Sequence, residues 1–447
     1  MYEQRIGVCW EPEKEDVEYN AVFNFDPING GILDLIHGEI KNKKIFKQFL
    51  ERRNLIFHGL FQNQYYTFFV SNVNTERFPG IHTTYDLSLI IEGDLITSLE
   101  KLPYKEFRLG IPYLEDWMNL INCNIIDKYD NDFSKMKLKL PSREKFGIEI
   151  NNEITVEIHS FPTLNVSIFE TKINRSAFFK IIFNTNISLR KLQEVMYHII
   201  DLITLACNKP MFVNFLKVRK DGHDIKFLFR RRFGLNNVDD SIKLGNVLFS
   251  FSDIMNEESL NLVFRRWFDG YKELKSVYRL FFLTYYSNDI IDSKFLQLAQ
   301  ALDYYSDWYI NENENFKYNH LPFKKRIEII LSKYNKLSNV INSLDCLIKA
   351  IVETRNDLSH GYVVESNSQN YYLKSYDDFI RLYYGLKLII TIILLDKLSF
   401  SEEAILSFID NFCLYKTFTK KKYIFKCYIN SLIDLSKDNY YIMILTY

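Results

Sequence analysis

The feature that most constrains the fold is a change in the spacing of apolar residues near Asp253. Before this point the chain carries short apolar or aromatic runs separated by turn residues, and beyond it apolar residues recur at helical spacing. Apolar residues at every second position place one face of a strand on a core. Apolar residues three or four positions apart place one face of a helix on a core. The sequence therefore predicts an α+β protein. Its N-terminal domain is β-rich with one long helix, and its C-terminal domain is an all-α helical bundle.

Strands are predicted where an apolar run is bounded by turn residues. The pair Asp221-Gly222 between two such runs indicates a hairpin, because both residues accept the positive φ that a tight turn needs. The predicted strands are Ala21–Phe25, Gly31–Ile36, Leu55–Phe61, Tyr65–Val70, Asp86–Glu92, Ile154–Ser160, Leu164–Glu170, Met211–Arg219 and Ile225–Arg230.

One helix is predicted among these strands, beginning after a capping Ser188 and ending near Pro210. Pro322 lies near the start of a later helix, where its missing N–H costs least. The later helices are predicted at Ser259–Tyr286, Ser293–Ile310, Leu321–Tyr334, Asn339–Ser359 and Tyr376–Leu398, and from Ser401 onward. These elements suggest an N-terminal domain over residues 1–245, a helical connector over 246–290 and a helical domain over 291–447.

Composition excludes several classes of protein. The 447 residues include 56 Lys and Arg against 56 Asp and Glu, so any contact with nucleic acid needs a local basic patch. The six cysteines are scattered without a Cys-x-x-Cys pair, which argues against a zinc ribbon or a dense disulfide framework and favours free thiols. The apolar run Leu388–Leu395 is much shorter than the about 20 residues of a membrane span, and no secretory signal is recognisable. A cytoplasmic location is predicted.

The common phosphate-loop, dinucleotide, zincin and nucleophile-elbow signatures do not occur in the sequence. What remains is the segment from Thr354 to Gly361, which reads Thr-Arg-Asn-Asp-Leu-Ser-His-Gly and closes a predicted amphipathic helix. Arg355 continues the apolar stripe of that helix, where a guanidinium needs a partner, and His360 lies beside its last carbonyl groups. Gly361 would then cap the helix.

An Arg and a His placed together can cleave a phosphodiester without a metal. The His moves the proton of a ribose 2′-hydroxyl or of the leaving 5′-oxygen, and the Arg neutralises charge on the phosphate. The same residue types recur at Arg53–His58 and at Arg77–His82. The first runs into a predicted strand and the second contains a Pro-Gly turn, so both are interpreted as structural.

The helix followed by Arg355-Asn-x-x-x-His360 and Gly361 resembles the active-site motif of the HEPN superfamily of ribonucleases. The stretch Phe295–Asp303 resembles an early helix of the HEPN domains in ApeA-like phage-defence proteins. Three N-terminal motifs resemble the ApeA N-terminal domain: Gly7-x-x-Trp10, Gly30–Leu35 and Ile56–Gly59.

The resemblance implies an abortive-infection anti-phage endoribonuclease that cleaves RNA, with tRNA as a candidate substrate, by 2′-hydroxyl transesterification. It implies no metal and no cofactor. It also implies a homodimer formed through the helical domain, in which two motifs face each other, and activation by a phage-encoded component.

Carried over by position, Arg355 is the phosphate-binding cation, His360 the general acid and base, and Asn356 the polar residue that follows the Arg. Asp303 is carried over as a supporting residue beside these, at a position where this subfamily is expected to have Glu, whose longer side chain would reach Arg355 more easily. Candidate RNA contacts are Lys217, Arg219, Lys220, Arg230, Arg231 and Arg232, although such a basic hairpin is more often a solvated surface.

Two alternatives stay open at this level. One is a non-catalytic binding protein whose helical domain only dimerises and whose β-rich domain recognises a phage component, because fold does not fix function. The other is a toxin silenced by an antitoxin encoded beside it. Trp10, Trp117, Trp267 and Trp308 are interpreted as core or interface residues.

Overall fold

The computed structural model of the chain describes residues 4–12, 14–36, 55–77, 82–118, 124–125, 138–139, 143–166, 171–230, 247–255, 257–313, 321–333, 344–360 and 376–411. Strands dominate up to residue 229, and the elements from residue 257 onward are helices. The predicted α+β class is therefore confirmed.

The strands are β1 Arg5–Glu11, β2 Lys14–Asp26, β3 Gly30–Ile36, β4 Ile56–Phe61, β5 Gln64–Arg77, β6 His82–Glu92, β7 Glu106–Gly110, β8 Asn124–Ile125, β9 Leu138–Lys139, β10 Glu144–Asn151, β11 Ile154–Val166, β12 Thr171–Phe183, β13 Phe215–Lys220 and β14 His223–Phe229. The helices are α1 Leu114–Met118, α2 Leu189–Cys207, α3 Glu257–Glu273, α4 Lys275–Tyr286, α5 Ile291–Asn313, α6 Phe323–Ser332, α7 Leu344–Ser359, α8 Tyr376–Lys397 and α9 Glu402–Asn411.

Twelve strands form one antiparallel sheet in the order β10-β11-β12-β7-β13-β14-β6-β3-β2-β1-β4-β5. Because β5 also pairs with β6, the six strands from β6 to β5 close into a ring. Strand β6 belongs to both parts of the sheet, since its first residues pair with β3 and its last residues pair with β14. A separate apolar core that includes Phe23, Phe61 and Phe68 fills the ring.

Two of the three short N-terminal motifs, Gly7–Trp10 and Ile56–Gly59, lie side by side in this ring. Trp10 is opposite His58, and Cys9 is opposite Gly59, on the paired strands β1 and β4. A Cβ at Gly7 would lie 2.3 Å from the carbonyl oxygen of Leu60, so the close packing of the two strands requires glycine there. These motif residues are therefore determinants of the fold.

Of the two competing histidines, His58 is structural, as interpreted from the sequence, while its companion Arg53 lies outside the described residues. His58 is buried in β4, where its Nε2 lies 3.2 Å from the carbonyl oxygen of Ile96, and burial lowers its pKa. Arg77 is opposite His82 on the paired strands β5 and β6.

Helix α2 begins where the sequence predicts it. The Ser188 Oγ accepts a hydrogen bond of 3.2 Å from the backbone N–H of Lys191, and Asn208 ends the helix with a φ of 47°. Asp201 on the buried face of α2 accepts hydrogen bonds from the hydroxyls of Tyr271 in α3 and Tyr286 in α4. One continuous core joins α2, part of the sheet and the C-terminal helices.

Several predicted boundaries are wrong. The single helix predicted at Ser259–Tyr286 is two helices, because Leu274 leaves the helical conformation with φ −122° and ψ 34°. The strand predicted at Ile154–Ser160 continues to Val166 as β11, and the remainder of Leu164–Glu170 lies outside the described residues. Strands β1, β7, β10 and β12 were not predicted, since their apolar runs are short or interrupted by charged residues.

The cysteine prediction holds at two positions and fails at a third. Cys9 and Cys207 are buried free thiols, whereas Cys346 is disulfide-bonded. The apolar run Leu388–Leu395 is the buried centre of α8, as predicted. Within the described ranges, the helices lack the length and the apolar content that crossing a membrane requires.

Candidate active site

The candidate active site lies where α5, α6 and α7 meet. The predicted stripe of α7 is buried, with Leu347, Ile348 and Ile351 at most 3% exposed. One turn later Arg355 lies at the margin of the bundle, with 34% of its side chain exposed. The helix therefore anchors Arg355 by its apolar face while leaving its guanidinium accessible.

Arg355 has two partners from other helices. Its Nη2 donates a hydrogen bond of 3.0 Å to Oδ2 of Asp303 in α5. Its guanidinium carbon lies 4.9 Å from the centre of the Phe323 ring at the start of α6, within the range of a cation–π contact. Asp303 thus reaches Arg355 directly in spite of its shorter side chain, because α5 and α7 approach closely enough.

A second guanidinium shares the same carboxylate. Arg326 in α6 donates from Nη2 to Oδ1 of Asp303, and its Nη1 lies 3.2 Å from Oδ1 of the exposed Asp307. Asp303 thus lies between Arg326 and Arg355, and its single negative charge faces two positive charges. The Arg355 guanidinium is fixed in orientation, yet its charge is only partly neutralised.

Arg326 does not stand out in the sequence as a site residue. It follows two lysines in the segment from Phe323 to Ile330, where it looks like one more surface cation. The signal that could have found it is its position three residues after Phe323, which places both on one face of α6.

His360 ends α7. Its backbone N–H donates to the carbonyl oxygens of Asn356 at 3.0 Å and Asp357 at 3.2 Å, and its side chain is exposed. The Ser359 hydroxyl donates to the carbonyl oxygen of Arg355 at 2.6 Å and so satisfies one of the last backbone acceptors. Asn356 is exposed on the same turn. The predicted cap, Gly361, lies outside the described residues.

His360 is five positions after Arg355, which at about 100° per residue leaves their Cα–Cβ directions about 140° apart around the helix. A single phosphate beside Arg355 is therefore not faced directly by the His360 of the same helix. The imidazole lies at the helix end, where it is open to solvent and to a partner molecule.

Nearby acidic residues modify the charge of this helix end. Burial raises the pKa of the Glu353 carboxyl, and Asp357 raises it further, while Lys349 and Lys324 act in the opposite direction.

Among the described residues, no three His, Cys, Asp or Glu side chains are grouped as a metal site requires.

Three of the basic residues predicted to contact RNA, Lys217, Arg219 and Lys220, lie in β13, and no described contact joins them to α7. Lys217 has its Nζ 3.8 Å from Asp224. Lys220 has its Nζ 2.9 Å from Asp94.

The other members of the basic set differ in their surroundings. Arg230 donates from Nε to the carbonyl oxygen of Ile28 at 3.2 Å. Arg219 is exposed, while Arg231 and Arg232 lie outside the described residues. Contact between these side chains and RNA stays a prediction.

Two protein-family models match the chain. The model for ApeA N-terminal domain 1 matches residues 4–267, which is more than half of the sequence. The chain belongs to the ApeA family. An Apea-like HEPN model matches residues 284–404, which contain α5 to α8 and therefore Asp303, Arg355 and His360. No curated protein and no solved structure matched the chain.

The two family matches confirm the resemblance to ApeA-like proteins that the short motifs indicated. The ApeA N-terminal match extends past the strands into α3, in agreement with the hydrogen bonds that tie α3 to α2.

Proposed function

We propose that this ApeA-family protein is a metal-independent HEPN endoribonuclease that acts in the cytoplasm in abortive anti-phage defence. The observation that carries the proposal is the anchored Arg355 at the end of α7, held by Asp303 and followed by an exposed His360 within the HEPN match. A guanidinium with one face anchored and another accessible suits the binding of a phosphate.

In the proposed reaction, His360 takes the proton from a ribose 2′-hydroxyl. The 2′-oxygen attacks the adjacent phosphorus, and the bond from phosphorus to the 5′-oxygen breaks. A protonated imidazole gives its proton to that 5′-oxygen, so the products carry a 2′,3′-cyclic phosphate and a 5′-hydroxyl. Arg355 donates to the non-bridging oxygens, where negative charge grows in the transition state, and Asn356 offers a further polar contact.

A homodimer would supply the acid and the base at the same time. Because Arg355 and His360 leave their helix in different directions, a second α7 facing the first would bring the partner's imidazole to the phosphate held by Arg355. Two such imidazoles, one protonated and one neutral, give a bell-shaped pH–rate profile. A phage-encoded component would act as the trigger that releases the activity.

The test compares purified wild type, Arg355→Ala and His360→Ala on total RNA and on tRNA, followed by end-group analysis of the fragments. We expect each substitution to lower the cleavage rate by about 100-fold or more. His223→Ala is the matched control, since His223 is also exposed but lies in the hairpin of β13 and β14.

Undiminished cleavage by both variants would overturn the assignment, and loss of wild-type cleavage on adding a chelator would point to a metal nuclease. Growth arrest on overexpression offers a second readout. If His360→Ala is as toxic as the wild type, the protein acts through binding instead of cleavage.

A further inference from the structure

A pocket of about 520 Å³ lies where the ring of strands meets the hairpin of β13 and β14. Its volume falls within the about 300–1,000 Å³ of sites that take small molecules. The pocket contains none of the α5 to α7 residues, so an inference about its ligand goes beyond the proposed nuclease function.

The pocket walls are strands whose backbone hydrogen bonds are already made. Strand β13 pairs with β7 on one side and β14 on the other, and β14 pairs in turn with β6. An extended peptide could not add to these strands, because strand addition needs an unpaired edge. A ligand must therefore be recognised by side chains.

Aromatic rings supply the apolar part of the lining. Phe25, Phe215 and Phe229 are half-buried and expose part of their surface, while Phe23 and Phe227 lie deeper in the two cores. Flat rings of this kind stack on planar ligands such as nucleobases, whatever the base, because every base has a π-face.

Basic side chains supply the polar part. Arg5, Lys217 and Lys226 line the pocket together with one acidic residue, Glu92, so the lining carries a net charge of plus two. Glu92 lies 2.5 Å from the Nζ of Lys226 but 3.6 Å from the Nη1 of Arg5, beyond hydrogen-bond length.

Lys217 is held more loosely than Lys226, which is paired with Glu92, and than Arg5, whose Nη1 donates to the hydroxyl of Tyr66. Its Nζ is 3.8 Å from Asp224 and 5.2 Å from the centre of the Phe215 ring. This places a cation directly beside an aromatic surface. The combination suits a ligand that has a planar ring system and an attached anionic group.

We propose that this pocket binds a nucleotide, with the base stacked on the phenylalanine rings and the phosphate on Lys217 and Lys226. The source of the nucleotide is either a free mononucleotide or a segment of single-stranded nucleic acid. Both present the same base and phosphate chemistry to the pocket.

The test uses the full chain and isothermal titration calorimetry with three kinds of probe. The first is a set of 5′-mononucleotides, and the second is a 2′-O-methyl hexanucleotide, which cannot be cleaved through a 2′-hydroxyl. The third consists of a nucleoside and inorganic phosphate given separately. We expect saturable binding of either the mononucleotide or the hexanucleotide, and at least about tenfold weaker binding of each half-ligand.

Two variants assign the binding to the pocket. Lys217→Ala/Lys226→Ala removes the phosphate contacts, and Phe229→Leu keeps apolar volume but removes a ring, so each should weaken binding by about tenfold. Lys145→Ala/Lys180→Ala is the matched control, because these strand lysines are also ion-paired but do not line the pocket.

The proposal is overturned by the lack of saturable binding of both nucleotide probes, or by binding that the two pocket variants leave unchanged. Displacement of the nucleotide by an acidic hexapeptide at equal concentration would show that the pocket recognises only charge. None of these results depends on RNA cleavage, so the binding site and the nuclease are tested separately.

Discussion

Replacing Asp303 with Asn removes the negative charge between the guanidinium groups of Arg326 and Arg355. The asparagine keeps the size of the aspartate and can still accept one neutral hydrogen bond. It cannot neutralise either cation, so Arg355 in α7 loses its pairing with the carboxylate of Asp303, and Arg326 in α6 keeps only its contact with the exposed Asp307. The change is therefore electrostatic and leaves the packing of the three helices in place.

The magnitude follows from the geometry and the exposure of the three side chains. Asp303 is 22% exposed and Arg326 17%, whereas Arg355, 34% exposed, is screened more by water. Fully exposed pairs contribute about 0–1 kcal/mol, and breaking buried pairs costs about 3–5 kcal/mol. Two shared pairs of intermediate burial should together lose about 2 kcal/mol, which for a unit of about 150–250 residues lowers Tm by about 4–8 °C.

The measurement is thermal unfolding followed by circular dichroism, with Asp307→Asn as the matched control. Asp307 contacts the same Arg326 at 3.2 Å but is 67% exposed, so its loss should lower Tm by at most about 2 °C. Asp303→Glu, which keeps the charge, should restore most of the stability. Equal shifts for Asp303→Asn and Asp307→Asn would refute the view that Asp303 holds the three helices together.

Three other predictions concern titration and close packing. Burial, with three nearby lysines, lowers the pKa of His198 from 6.5 to about 3, so only the unfolded chain takes up this proton as pH falls below 6.5. In the wild type this lowers the free energy of unfolding by up to about 1.4 kcal/mol for each pH unit between 6.5 and 4. His198→Phe should reduce that loss, measured by urea unfolding. Burial, with a second lysine, lowers the pKa of Lys387 from 10.5 to about 7. Below pH 10.5 the unfolded chain therefore binds this proton more readily than the folded chain does, which lowers the free energy of unfolding. Lys387→Met should stabilise the protein most below pH 7, with the gain in urea midpoint shrinking toward pH 10. Gly7→Ala should destabilise the chain by about 2 kcal/mol or more in urea unfolding, because the new Cβ would lie 2.3 Å from a carbonyl oxygen. The control is Gly147→Ala, which has open space around the new Cβ and should change stability by less than about 1 kcal/mol.

The sequence alone determined the features that depend on residues close together along the chain. Ser188 marked the start of α2, because a capping hydroxyl reaches a backbone N–H only three residues away. Asp221-Gly222 marked the hairpin of β13 and β14, and both residues have the positive φ that the turn needs, 50° and 84°. The apolar stripe of α7 likewise placed Arg355 on the face of its helix that meets the bundle, where a guanidinium needs a partner.

Only the tertiary structure decided the features that depend on distant residues meeting. The pairing of Asp303 with Arg326 and Arg355 joins positions 23 and 52 residues apart, and neither the spacing nor the length of the aspartate predicted it. The break at Leu274, the closure of six strands into a ring and the pocket beside β13 arise in the same way. A local pattern fixes which face of an element is apolar, but the approach of two elements is set by how all their apolar faces pack at once.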